Sequence, residues 1–89
     1  MEEFAKQLGI QHPGELVNDK FIIPLMNSDE YSQVYTILDK SKLVELDPYS
    51  TLVTEKVSEL TYIGDDFTVK LDGNFVDDFY RVVIFRNEE

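Results

Sequence analysis

The stretch Phe67–Arg86, FTVKLDGNFVDDFYRVVIFR, limits the fold more than any other part of this chain. Phe67, Val69 and Leu71 alternate with Thr68 and Lys70. That period of two places three apolar side chains on one face of a strand and two polar ones on the other. Asp72-Gly73 follows, a strong hairpin signal, because a type I′ turn requires positive φ at both central residues. Beyond Asp77-Asp78, the run Val82-Val83-Ile84-Phe85 is apolar on both faces. Such a run suits a strand covered on both sides or lying in an oligomer interface.

Two placements of the connection compete. Asp72-Gly73 can close a tight hairpin, with Asp77-Asp78 interrupting the return strand. Alternatively, residues 72–78 form one longer acidic loop between strands 67–71 and 79–86. The longer loop is the preferred reading, since adjacent carboxylates are costly inside a buried strand.

Upstream, Glu2–Leu8 reads as a short helix, with acids at its positive end and Gly9 as its C-cap. His12-Pro13-Gly14 reads as a turn with His12 facing solvent. Lys20–Met26 reads as a strand, and Pro24 confines it to an edge or a bulge. The main helix is expected over Ser28–Lys40: Ser28 caps it, Asp29 and Glu30 occupy its first turn, and Tyr31, Val34, Tyr35 and Leu38 make one stripe. Lys42–Asp47 is a short strand stopped by Pro48. Residues 51–57 fit either strand or helix, with strand preferred, and 59–63 reads as strand. Gly64-Asp65-Asp66 is a turn. Consecutive strands joined by short turns predict one α+β domain over residues 1–89. Its antiparallel sheet has four to five strands, one main helix on a face and a short N-terminal helix.

Composition narrows the function. The 89 residues contain no cysteine and one histidine, His12. That leaves no disulfide, thiolate metal site or cysteine nucleophile, and little for imidazole chemistry. No register of the acids fits a calcium loop, and no phosphate-binding glycine motif or nucleophile elbow is present. No catalytic, cofactor or metal residues are therefore assigned, and an ordinary enzyme is not expected. The net charge of −10 disfavours nucleic acid and anionic membrane as partners. The acidic start lacks the apolar core of a signal peptide, and no apolar run reaches membrane length, so a cytoplasmic protein is the expectation.

From Glu59 to Asp78 there are six acids, Glu59, Asp65, Asp66, Asp72, Asp77 and Asp78, against one base, Lys70. They are the candidate contact residues for a protein partner, although acids also populate turns for solvation alone. If the strands run antiparallel, turns 64–66 and 72–78 fall at opposite ends of strand 67–71. The leading expectation is a non-enzymatic, acidic interaction protein. It would inhibit or regulate a partner with a basic surface, as small phage and mobile-element proteins can. A second reading is an assembly subunit that oligomerises through strand edges. A third is a small enzyme or ligand carrier using an acid and tyrosines among Tyr31, Tyr35, Tyr62 and Tyr80. That one requires a pocket holding a carboxylate away from water.

Overall fold

A computed structural model describes residues 2–45, 52–53 and 57–87. The elements are α1 (Glu2–Leu8), β1 (Glu15–Val17), β2 (Lys20–Leu25), α2 (Ser28–Asp39), β3 (Val44–Glu45), β4 (Leu52–Val53), β5 (Val57–Ile63), β6 (Phe67–Asn74) and β7 (Phe79–Arg86). The strands form one antiparallel sheet ordered β1-β2-β7-β6-β5-β3, with β4 also paired to β5. The α+β class is as expected. The sheet is larger than the expected four to five strands, because two-residue pieces at its edge and a hairpin near the start add to it. Among the described residues, no helix is long and apolar enough to cross a membrane.

The turns depart from expectation. Asp72, Gly73 and Asn74 are not a turn but the last residues of β6, paired with Arg81, Tyr80 and Phe79. The connection to β7 is only residues 75–78. Asn74 Oδ1 accepts from the backbone N–H groups of Val76 and Asp77 at 3.1 and 3.0 Å, and Asp78 adopts positive φ. The asparagine side chain thus imitates a backbone turn. Gly73 serves a close approach: a Cβ there would lie 2.9 Å from Tyr31 Cε2 and 3.3 Å from Tyr80 Cδ1. The two-residue turn of the kind expected at Asp72-Gly73 occurs instead at Asn18-Asp19. Both residues have positive φ, and Val17 pairs with Lys20 across them. Asn and Asp tolerate that backbone region better than other side-chain-bearing residues.

Both helices lie on one face of the sheet. Gly9, at φ 98°, ends α1 by sending its N–H to Lys6 O while Ile10 N–H reaches Ala5 O. This closure, expected of Gly9, turns the chain so that Ala5 and Ile10 are both buried. Phe4 stacks on Phe67 with ring centroids 4.8 Å apart. The cap of α2 is Asn27 rather than Ser28, its Oδ1 accepting from Glu30 N at 3.0 Å. Tyr31, Val34 and Leu38 are buried as the stripe predicts, but Tyr35 sits on the flank, 40% exposed, and half-buried Ile37 joins the core in its place.

Pro24 lies in an interior strand yet keeps its edge character. Strand β1 reaches only as far as Ile22, through its pairing with Glu15. From Ile23 onward β2 has β7 on one side and, among the described residues, no strand on the other, so the missing N–H costs no ladder bond there. His12 is not simply solvent-facing: its Nδ1 lies 3.3 Å from Glu30 Oε1, and both side chains are largely covered. Glu30 Oε2 also accepts from Met26 N at 2.6 Å, so one carboxylate at the start of α2 meets both the loop after α1 and the connection from β2.

The expected strand at 42–47 is described only as Val44–Glu45. Residues 46–47 of that strand, and residues 51 and 54–56 of the ambiguous 51–57 stretch, lie outside the described residues; Leu52, Val53 and Val57 are strand, as preferred.

Candidate functional site

The sheet has two unlike faces, and the apolar run in β7 contributes to both. Val82 and Ile84 point toward the helices and are fully buried, as are Ile23, Val69 and Leu71 on neighbouring strands. Val83 and Phe85 point the other way, and among the described residues no helix crosses that side. Among the described residues, the run is covered by helices on one face only.

Pairing register builds the uncovered face row by row, because residues directly opposite on antiparallel strands share a side. Nearest the 18–19 and 64–66 turns, Val17, Lys20, Phe85, Thr68, Ile63 and Val44 stand in line. Next come Glu15, Ile22, Val83, Lys70 and Thr61. A third row holds Pro24, Arg81, Asp72 and Glu59. Val83 is closed in by its neighbours, and Ile22 and Phe85 are half-buried. Val17, Ile63 and Val44 are exposed at 39, 40 and 68%. Lys20 Nζ sits 5.9 Å from the Phe85 ring centroid, so its stem lies along the apolar stripe while its charge stays wet.

Charge is distributed differently here from the rest of the chain. Among the described strand residues of this face the bases are Lys20, Lys70 and Arg81, and the acids Glu15, Glu59 and Asp72. The face is balanced, while the chain as a whole carries −10. Among the described residues, the excess acid therefore lies on the helices, turns and sheet ends.

The six candidate acids are not gathered into one patch. Glu59 and Asp72 are cross-strand neighbours on the uncovered face. Arg81 offsets their repulsion, its Nε donating to Asp72 Oδ2 at 3.2 Å, while Asp72 Oδ1 is buried without a partner among the described residues. Asp65 and Asp66 stand at one end of the sheet and Asp77 and Asp78 at the other, with β6 between them. That arrangement follows the antiparallel expectation. Asn87 anchors the first turn: its Nδ2 donates to Gly64 O at 2.8 Å, and Thr68 Oγ1 donates to its Oδ1. Phe75, Val76 and Phe79 make the other turn apolar as well as acidic, and all three are exposed.

Of the tyrosines named as a possible chemical group, Tyr31 and Tyr35 line a cleft between α2 and β5, while Tyr62 and Tyr80 do not. The cleft measures about 500 Å³ and is lined by Tyr31, Tyr35, Thr36, Glu45, Ser58 and Leu60. Tyr31 donates its hydroxyl hydrogen bond to Ser58 Oγ at 3.0 Å, where burial raises its pKa and the Ser58 bond partly opposes the rise. Burial also pushes the Tyr62 hydroxyl well above its usual range, and that hydroxyl has no partner among the described residues. The one carboxylate lining the cleft, Glu45, is exposed, so the cleft does not hold an acid away from water. Among the described residues, no three His, Asp or Glu side chains come close enough together to hold a metal ion.

The sequence already contained a signal for this face, the doubly apolar Val82–Phe85. The partners that complete it, Val17, Ile22 and Pro24, could not be joined to it without knowing that β2 pairs with β7. No protein-family model, curated protein or solved structure matches the chain.

Proposed function

We propose that this is a non-enzymatic protein-binding module, acting in the cytoplasm, whose contact surface is the uncovered face of its sheet. One observation carries the reading. Both helices pack on a single side, leaving Val17, Ile22, Val83 and Phe85 as a continuous apolar stripe on the other. Contiguous apolar surface rimmed by polar groups is characteristic of interaction sites. Strand-edge assembly has less support at the β1–β2 edge. Strand β1 has three residues, and Pro24 removes a donor from the open part of β2.

Affinity capture from lysate tests the reading, comparing wild type with Phe85→Glu and with Tyr35→Ser, a control on the helix side. The expected result is a specific partner lost with Phe85→Glu, retained with Tyr35→Ser and retained in high salt, as apolar contacts require. Equal capture by wild type and Phe85→Glu overturns it.

A second reading is favoured by the paired acids at both sheet ends. Asp65-Asp66 and Asp77-Asp78 would occupy basic sites on a partner, making the protein an inhibitor or regulator of it. That binding falls steeply as salt rises. A partner held equally at low and high salt removes this version.

A further inference from the structure

We infer that the uncovered face is covered by the same face of a second copy of this chain, giving a two-fold dimer of back-to-back sheets. The inference rests on the reading of this face as the contact surface and names its occupant. Three observations select a second copy.

The first is charge. A two-fold interface presents one patch to itself, so the patch must complement itself. A strongly acidic patch repels its own copy. This face, with Lys20, Lys70 and Arg81 against Glu15, Glu59 and Asp72, is the balanced part of a chain of net charge −10. A basic partner would find no excess acid on it, and a nucleic acid no excess base. The acidic ends and helices meanwhile discourage copies from meeting in other orientations.

The second is layout. Ile22, Val83 and Phe85 lie on the adjacent strands β2 and β7, with Lys20, Lys70 and Arg81 interleaved and exposed Val17, Ile63 and Val44 toward the sides, a mixed pattern that the same face of a second copy can meet. Two such sheets pack through their side chains at a separation of about 10 Å.

The third is area. The molecule measures 33 × 29 × 26 Å. One broad side therefore offers on the order of 800 Å², the per-partner area of a stable interface. Lateral addition at the β1–β2 edge has no comparable surface, since β1 has three residues and β2 carries Pro24.

Sedimentation velocity over a micromolar to submillimolar series tests this on the full chain. Wild type is expected to pass from monomer to dimer. Lys20→Glu with Lys70→Glu, both exposed positions where the fold tolerates change, leaves the face acidic. It should weaken the dimer by roughly tenfold or more, with partial recovery in high salt. Circular dichroism of that variant should match wild type, and Phe85→Glu should also be monomeric. A wild-type monomer at every concentration overturns the proposal, and so does a dimer indifferent to both variants. If the chain is monomeric while Phe85→Glu still abolishes capture of a different protein, the binding face stands and its occupant is not a second copy.

Discussion

Ile84 and Phe85 are neighbours in β7, yet they belong to different environments. Ile84 is fully buried under the helices, among Ile23, Val69 and Leu71. Phe85 lies across the sheet, half-buried between Lys20 and Thr68. One backbone and one apolar run supply both. The difference comes from what lies above each residue, which teaches that apolar character in a strand states a need for cover without naming its source.

The largest test of that contrast is a pair of substitutions. Ile84→Ala should cost about 2–5 kcal/mol, through lost burial and the cavity left behind. Phe85→Ser should cost less than about 1.5 kcal/mol in the monomer, since its ring is already partly wet. Urea denaturation at low protein concentration measures both. Equal losses would mean that Phe85 is buried within a single chain, and the two faces would not differ.

Gly73→Ala probes how tightly the helix-covered face is packed. The added methyl meets the Tyr31 ring, so a loss of about 1–3 kcal/mol is expected in the same measurement. The corresponding change on the uncovered face, Lys70→Ala, should alter stability by no more than about 0.5 kcal/mol.

The tyrosines under α2 should give that face a pH response. Tyr31 and Tyr62 have raised pKa values in the fold, chiefly from burial. The unfolded chain therefore loses these protons first, and the native state binds more protons than the unfolded state above pH ~10. Stability is complete below that pH and declines as pH rises through it. Tyr62→Phe should soften the decline. At neutral pH it should cost little, because the Tyr62 hydroxyl has no hydrogen-bond partner among the described residues. Thermal melts from pH 7 upward would read both effects.

A similarly small effect is expected at the ion pair of the uncovered face. Asp72→Asn weakens the pair with Arg81, whose side chain is substantially exposed, and should change monomer stability by less than about 1 kcal/mol. A larger loss would show that this face holds the monomer together as well.

Local patterns recovered the helices and strands where one signal acted alone. The period-two alternation at Phe67–Leu71 and the Tyr31/Val34/Leu38 stripe belong to that group. Reading failed where one residue type serves two purposes. Gly73 looked like a turn residue because glycine permits positive φ, but it was needed for the space beneath Tyr31. Asn18-Asp19 formed the two-residue hairpin without glycine, on a left-handed preference too weak to identify by itself. His12 met Glu30 only through the packing of the loop after α1 against α2. For the candidate site, antiparallel order was enough to place the two acidic turns at opposite ends. The uncovered face needed the β2–β7 pairing, which no local window contains.

That pairing also bears on how the chain reaches its fold. Strands β5, β6 and β7 can pair through short turns as a local meander. Lys20 must find Phe85 across most of the chain, with α2 and four strands between them in sequence. The entropy of closing so long a loop falls on this one step. Docking of the N-terminal hairpin onto a finished meander is thus the natural late event in folding. Until it occurs, the side of β7 that receives β2 presents a free strand edge.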